Sequence, residues 1–172
     1  MNELEQRIAN LEAVEAIKSL KFRYFAACDN KRPEQVRNCF ADGEVDLRYG
    51  RIGDFRSADD MVAVFTRLAC VEHIVEMHHA QNPCVTVHSP TEASAEWGLY
   101  YFMIDTNQQT ATQLGGSYDD EYRCINGDWK ITKSVFTLSS TLITELSEGL
   151  AKLVFAGRTA PSEIDDPNRQ AG

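Results

Sequence analysis

The feature that most constrains the fold is a change of hydrophobic period near residue 73. Upstream of it, apolar residues recur at steps of three or four, which is the period of one face of an α-helix. Downstream, the chain forms extended runs rich in β-branched and aromatic residues, which are typical of strands. These runs are PCVTVHS, EASAEWGLYYFMID, TATQLGGSYDDEYRCI and DWKITKSVFTLSS. Helices followed by consecutive strands predict an α+β domain.

The helical part predicts three N-terminal helices. The first is long, carries Glu and Lys on its polar side, and ends at Asp29 and Asn30. Its apolar face would consist of Leu4, Ile8, Leu11, Val14, Ile17, Leu20, Tyr24 and Cys28. A short helix begins near Pro33, and a third follows Ser57 as N-cap. The buried stripe of that third helix would be Met61, Val64, Phe65 and Leu68.

The downstream runs predict a strongly curved antiparallel sheet. Asn126-Gly127 is a hairpin turn, and Gly115-Gly116 inside a strand indicates a bulge that bends the sheet. A bent sheet wrapped over the long helix makes a cone with one open, apolar end, where a ligand pocket is expected. We expect one domain over residues 1–157, with a terminal helix in TELSEGLAKLVFAGR, and a disordered tail over 158–172.

The composition limits the partners. A net charge of −9 argues against nucleic acid, which attracts a basic surface, and no apolar run is long enough to cross a membrane. The first ten residues are too polar for a secretory signal, so a cytoplasmic location is expected. The five cysteines are scattered and form no CxxC pair, which predicts reduced thiols rather than disulfides or a zinc site.

Two groups of residues are candidates for a site. Alternation along the strands puts Trp97, Leu99 and Tyr101 on one face and Tyr118 on a face of the next strand. These side chains either fill the core or line a pocket for a cyclic ligand. The second group is the stretch HIVEMHHAQNP, residues 73–83.

Within that stretch, His78 and His79 are adjacent, so in a strand they face opposite sides and cannot bind one metal ion together. We interpret His73, His79 and His88 as surface residues and expect no metal. His78 differs if it meets Asp29, because a carboxylate bound to one imidazole nitrogen makes the other more basic. Such a pair could remove a proton from carbon or oxygen. Spacing alone does not establish the contact, since 49 residues separate the two.

Three stretches of the sequence are distinctive: EAIKSLKFRYFAACDNK, MHHAQNPCVTV and LGGSYDDEYRCINGDWKITK. With them, the chain resembles the SnoaL-like branch of the nuclear-transport-factor-2-like cone superfold over about residues 5–140. EAIKSLKFRYFAACDNK is similar to the first helix of its dehydratases, in which a Tyr precedes the catalytic Asp by five residues; this resemblance assigns those roles to Tyr24 and Asp29. MHHAQNPCVTV is similar to the segment that carries the catalytic His, which implies His78, followed by Asn82. LGGSYDDEYRCINGDWKITK resembles the Gly-Gly strand and closing hairpin.

Within the branch, the likeness is to bile acid 7α-dehydratases, hexachlorocyclohexane dehydrochlorinases and scytalone dehydratase. The chain departs from them at two places. Tyr101 stands where the bile acid enzymes have a further acid, and Cys124 or Ile125 falls where the dehydrochlorinases have an arginine. The resemblance therefore favours elimination of water over elimination of chloride.

The resemblance implies a cofactor-free dehydratase acting on a hydroxylated cyclic substrate such as a steroid, a bile acid or a polyketide. His78 would take the proton, Asp29 would support it, and Tyr24 would act on the leaving hydroxyl, with Tyr49 or Tyr101 as helper. The substrate pocket would include Tyr49, Trp97, Leu99, Tyr101, Asn82 and Tyr118. A homotrimer or homodimer is expected.

Three alternatives stay open: an isomerase with the same dyad, an aldol-type cyclase, and a non-catalytic module that binds a ligand or serves as a small oxygenase subunit.

The proposed roles of Tyr24 and Asp29 also depend on the geometry of the first helix. In a regular helix, residues five apart diverge by roughly 140°, so Tyr24 and Asp29 share a pocket only if the helix end turns over its mouth.

Overall fold

The structure, a computed structural model, describes residues 2–147 and 149–157. Its elements are α1 (Glu3–Asp29), α2 (Pro33–Arg37), β1 (Glu44–Arg48), β2 (Asp54–Ser57), α3 (Ala58–Ala69), β3 (Ile74–Ser89), β4 (Glu92–Asp105), β5 (Thr110–Ile125) and β6 (Asp128–Glu145). A short 3-10 turn, Gly50–Ile52, joins β1 to β2. The predicted α+β plan with three N-terminal helices and a long sheet is confirmed. No helix in the described ranges is long and apolar enough to cross a membrane.

The six strands form one curved, unclosed sheet in the order β2-β1-β6-β5-β4-β3. The four long strands run as an antiparallel meander, while β1 adds to β6 in parallel, which departs from the purely antiparallel prediction. The hairpin at Asn126-Gly127 has positive φ at both residues, as a two-residue hairpin turn requires. The predicted bulge is also present, because the β5–β6 register shifts between Gly115 and Gly116.

The core lies between the concave face of the sheet and the second half of α1. Its largest fully buried apolar side chains are Trp97, Phe40, Ile17, Leu20, Leu47, Ile131 and Val36. Ser57 caps α3 as predicted, since its hydroxyl accepts hydrogen bonds from the backbone N–H groups of Asp59 and Asp60. It packs beside β2 and α2, and only Ala58 and Met61 of this helix are buried.

The apolar stripe predicted for α1 is buried only in its second half. Leu4, Ile8 and Leu11 are 63%, 47% and 67% exposed, because the first turns of this 27-residue helix extend past the sheet. Leu68 of α3 is likewise exposed. The assignment of lysines to the polar side of α1 was wrong for Lys21, which is fully buried.

The predicted C-terminal helix is absent from the described part of TELSEGLAKLVFAGR. Thr144 and Glu145 instead continue β6 and pair with Ala111 and Thr110 of β5. The β-branched residues at 141, 143 and 144 favour this extension. Residues 151–156 have no regular structure. The predicted disordered tail, 158–172, lies outside the described residues.

Candidate active site

The end of α1 brings a carboxylate to the first half of β3. Asp29 is the last helical residue, and Asn30 caps the helix. The next residue, Lys31, adopts a left-handed backbone with φ 55°. Its ammonium group donates hydrogen bonds to the carbonyl of Ala69, at 2.6 Å, and to those of Val71 and Ile74. These bonds tie the end of α1 to the segment that leads into β3.

Asp29 and His78 are in direct contact. The His78 Nδ1 lies 2.6 Å from Asp29 Oδ1, and the backbone N–H of His78 donates to both carboxylate oxygens at 3.1 Å. One residue therefore supplies three hydrogen bonds to this carboxylate. The two backbone contacts hold the carboxylate in place independently of the orientation and protonation of the imidazole.

This contact decides which imidazole nitrogen is free. An ionised carboxylate only accepts hydrogen bonds, so Nδ1 carries the proton and Nε2 of a neutral ring keeps its lone pair. The His78 and Asp29 side chains are 15% and 23% exposed, so the pair is mostly buried yet reachable from solvent. The Phe25 ring stacks on the imidazole with centroids 5.0 Å apart, and the Tyr101 ring packs on it at 4.7 Å.

A second acidic side chain, Glu76, lies beside this pair. Residues 74, 76 and 78 share the inner face of β3, whereas Met77 and His79 are exposed on the outer face. Tyr101 donates its hydroxyl proton to Glu76 Oε2 at 2.8 Å, and Glu76 Oε1 has no hydrogen-bond partner among the described residues. Burial raises the pKa of Glu76 above its ordinary value, and it raises the pKa of Tyr101 as well.

Tyr24 lies in a separate cluster. Its ring packs against Phe25 and Phe40, and its pKa is raised well above the ordinary value, first by burial and then by Tyr49. Tyr49 lies across from Tyr118 with ring centroids 6.2 Å apart. Its hydroxyl has no hydrogen-bond partner of normal geometry in the described chain. Tyr24 and Asp29 lie five residues apart in one continuous helix, which separates them by roughly 140°, and Phe25 packs between the Tyr24 ring and the His78 imidazole.

Beneath the tyrosines lies a buried ion pair. Lys21 Nζ is 2.7 Å from Asp120 Oδ2, and both side chains are 0% exposed. The ammonium also lies 3.8 Å from the centre of the Tyr118 ring. Tyr122 donates to the same carboxylate oxygen at 2.8 Å and accepts a hydrogen bond from the Trp97 indole. Burial lowers the pKa of Lys21, and the Asp120 carboxylate opposes that effect.

The other predicted pocket residues divide into two groups. Trp97, Leu99 and Tyr118 belong to the hydrophobic core, which fits the alternative that they fill the interior. Asn82 is exposed at the irregularity in β3 between Gln81 and Cys84, with φ 48°, and this position does not fit a place in a closed pocket. Tyr101 is the predicted pocket residue that contacts the dyad.

A groove of about 660 Å³ lies elsewhere, between α1, α2 and the β5–β6 turn. Arg23, Arg32, Trp129 and Lys130 are among its lining residues, and neither Asp29 nor His78 is. This groove is therefore not the pocket expected at the open end of the cone, and that pocket stays a prediction. Within residues 2–147 and 149–157, no three His, Cys, Asp or Glu side chains are grouped so as to hold a metal ion.

Sequence reasoning missed Glu76 and Lys21. The signal for Glu76 was present, because it stands two residues before His78 and must share its face in a strand. Lys21 stands four residues after Ile17 and three before Tyr24, on the apolar face of the helix. A charge at such a position indicates a buried partner on another element.

Solved structures share this fold at low identity. A protein assigned as a scytalone dehydratase from Novosphingobium aromaticivorans DSM 12444 is 21% identical, with a TM-score of 0.74 over 90% of this chain and 99% of that one. A hexachlorocyclohexane dehydrochlorinase from Novosphingobium barchaimii LL02 is 13% identical, with a TM-score of 0.73 over 86% and 98%. A protein assigned as an aromatic ring hydroxylase from N. aromaticivorans is 20% identical, with a TM-score of 0.69 over 78% and 94%. At these identities the likeness is one of fold.

Comparison with protein families gives a match over most of the chain. Residues 9–135 match the SnoaL-like domain, a range that runs from the first turns of α1 into β6 and includes Asp29, His78 and the whole meander of β3 to β5. The resemblance drawn from the sequence is confirmed at this level. The chain belongs to the SnoaL-like domain family.

Proposed function

We propose that the protein is a cofactor-independent lyase that removes water from a hydroxylated cyclic substrate, with a carbonyl next to the carbon that loses the proton. The substrate class is a steroid, a bile acid or a polyketide-like ring. One observation carries the proposal: Asp29 holds the Nδ1 side of His78, so the Nε2 lone pair is free to act as a base. The dehydratase and dehydrochlorinase structures of the same fold agree with a lyase.

The proposed step is a proton abstraction followed by loss of hydroxide. His78 Nε2 takes the proton from the carbon beside the carbonyl, and the electrons of that C–H bond move toward the carbonyl oxygen to give an enolate. The enolate electrons then form the C=C bond as the C–O bond breaks, and the leaving hydroxide departs as water once it is protonated. Asp29 lies 2.6 Å from the imidazole and stabilises the imidazolium that forms.

The surroundings of the dyad support this step. Phe25 and Tyr101 pack on the imidazole and exclude water from its sides, which strengthens the electrostatic effect of Asp29. The partial exposure of both dyad members leaves a route for a ligand. The resemblance assigned Tyr24 to polarise or protonate the leaving hydroxyl. In this proposal it polarises that oxygen from the tyrosine cluster, which it shares with Tyr49.

A ligand-binding module without catalysis is the second candidate. The observation in its favour is the tight filling of the interior by Trp97, Tyr24, Phe25 and Tyr118, all nearly inaccessible to solvent. An isomerase or an aldol-type cyclase would use the same base. The three kinds of enzyme differ in their products, and the module gives none.

The test is turnover of a panel of hydroxylated cyclic ketones, with β-hydroxycyclohexanone and a β-hydroxy keto steroid as the first probes. His78→Ala should lower the rate by roughly 10² to 10⁴. His79→Ala is the matched control, since His79 is the adjacent residue on the outer face of the same strand. Binding of these ketones without any turnover would favour the module instead.

A second measurement tests whether Asp29 acts through His78. If it does, the losses caused by Asp29→Asn and His78→Ala should not multiply, and the double variant should be about as slow as His78→Ala alone. Circular dichroism of each variant checks the fold. A normal rate for His78→Ala would refute the proposed base, and fully multiplicative losses would refute the dyad.

A further inference from the structure

Glu76 is a buried acid that the proposed step does not yet use. It is 8% exposed and stands on the inner face of β3, two residues before the proposed base. Its side chain is next to the dyad on one side and to Tyr101 of β4 on the other. Strands β3 and β4 pair here, with His78 opposite Tyr101 and Glu76 opposite Met103.

The two carboxyl groups of the site have opposite surroundings. Asp29 accepts hydrogen bonds from two N–H groups of His78, the backbone amide, which it shares between both oxygens, and the imidazole Nδ1. Glu76 accepts one hydroxyl, from Tyr101, and its Oε1 is buried without a partner among the described residues. Burying an ionised carboxylate oxygen without a hydrogen-bond partner costs free energy, and burying a neutral carboxyl costs less. A neutral carboxyl can also donate a hydrogen bond to a ligand.

The charges around Glu76 agree with a neutral carboxyl. Burial is the largest effect and raises its pKa, and the nearby Asp29 carboxylate raises it further. His78, the Tyr101 hydroxyl and Lys31 act in the opposite direction, and burial outweighs them. A buried carboxyl that favours its neutral form beside an imidazole base gives the site separate groups for donating and accepting a proton.

We propose that Glu76 is the general acid of the site, a neutral carboxyl that gives its proton to the leaving hydroxyl. This inference rests on the function proposed above. His78 Nε2 first takes the carbon-bound proton to give the enolate. As the C–O bond then breaks, the Glu76 O–H bond breaks and its proton completes a water molecule. The site then holds a glutamate and an imidazolium, and transfer of one proton from His78 to Glu76 through water restores it. Tyr101 is a positioning residue that holds Oε2 and leaves Oε1 for the substrate.

The assignment narrows the substrate class. Hydroxide is a poor leaving group, so a site with a neutral acid beside a base suits β-hydroxy carbonyl compounds more than substrates that lose a stable anion. The acid also comes from β3 itself.

The experiment separates removal of the carbon-bound proton from loss of the hydroxyl. In D₂O, exchange of the proton beside the carbonyl reports the base alone, while formation of the unsaturated ketone reports both steps. The probes are β-hydroxycyclohexanone and a β-hydroxy keto steroid. Glu76→Gln keeps the size and an acceptor for Tyr101 but cannot release a proton. Glu72→Gln, at an exposed position just before β3, is the matched control.

We expect Glu76→Gln to keep exchange within a few-fold of the wild-type rate and to lose elimination by roughly 10² to 10⁴. His78→Ala should lose both, and Glu72→Gln neither. Equal loss of exchange and elimination in Glu76→Gln would overturn the acid role while leaving the base in place. If exchange and elimination were unaffected in His78→Ala, or absent from the wild-type protein, the proposed function itself would fail.

A substrate-free measurement gives the inference a second, independent check. The side-chain carboxyl of Glu76 can be followed by ¹³C NMR in protein labelled at glutamate, with its resonance assigned by its absence in Glu76→Gln. We expect it to titrate above the ordinary value of 4.5. Titration at or below that value would refute the neutral acid even if the elimination assay found a loss.

Discussion

Removing one partner of the Lys21–Asp120 ion pair should destabilise the protein strongly. Both side chains are 0% exposed and their charged atoms are 2.7 Å apart. At an effective dielectric constant of about 20, this separation corresponds to roughly 6 kcal/mol of attraction, which offsets the cost of burying both charges. Lys21→Met removes the ammonium and leaves the Asp120 carboxylate buried, with the Tyr122 hydroxyl as its one side-chain donor among the described residues. We expect a loss of about 3–5 kcal/mol in the free energy of unfolding.

The assay is urea unfolding at neutral pH, followed by circular dichroism and fluorescence. Lys18→Met is the matched control, because its ion pair with Glu15 one turn away is open to solvent, with side chains 30% and 71% exposed, and should contribute less than about 1 kcal/mol. The double variant Lys21→Met, Asp120→Asn removes the orphaned charge and keeps an acceptor for Tyr122. It should recover at least half of the loss. A single variant no less stable than Lys18→Met would refute the reasoning, and so would a double variant less stable than the single one.

Two further predictions concern the sheet and the site. Gly116→Ala should cost about 1–3 kcal/mol in urea unfolding, because a Cβ there would lie 2.5 Å from the Phe136 ring and 2.6 Å from the Thr137 carbonyl. Gly98→Ala, whose Cβ would be 3.4 Å from its nearest neighbour, is the control, and equal losses would contradict the clash. Because the pKa of Glu76 is raised in the fold, its stabilising contribution is complete below the unfolded value of 4.5 and is lost as pH rises through the folded value. Glu76→Gln should therefore gain in melting temperature relative to wild type between pH 5 and pH 8, and a constant difference would refute the raised pKa.

The fold was largely predictable because its determinants are local. The change from a helical period to extended runs set the α+β class, and Asn126-Gly127 and Gly115-Gly116 marked a turn and a bulge by backbone chemistry alone. The end of β6 was missed, because the weak strand preference of its β-branched residues takes effect only where β5 supplies partners for Thr144 and Glu145. The sequence also did not predict that the first half of α1 is exposed. The helical period places Leu11 on the apolar face, but it does not say how far the sheet extends along the helix.

The site was predictable only in part. The sequence put His78 on the inner face of a strand and Asp29 at a helix end, and likeness to a family paired them. The 2.6 Å contact between them depends on how α1 lies across β3, which no local pattern encodes.

By itself, the sequence determined the elements, their inner faces and the family to which the chain belongs. Tertiary structure alone decided which charges are paired. Lys21 is buried because Asp120, 99 residues away, meets it from the sheet, and Glu76 faces Tyr101 because β3 and β4 pair in one register. The physical reason is that burying a charged or titratable group depends on the partners that arrive from other elements, and periodicity along one element carries no information about them.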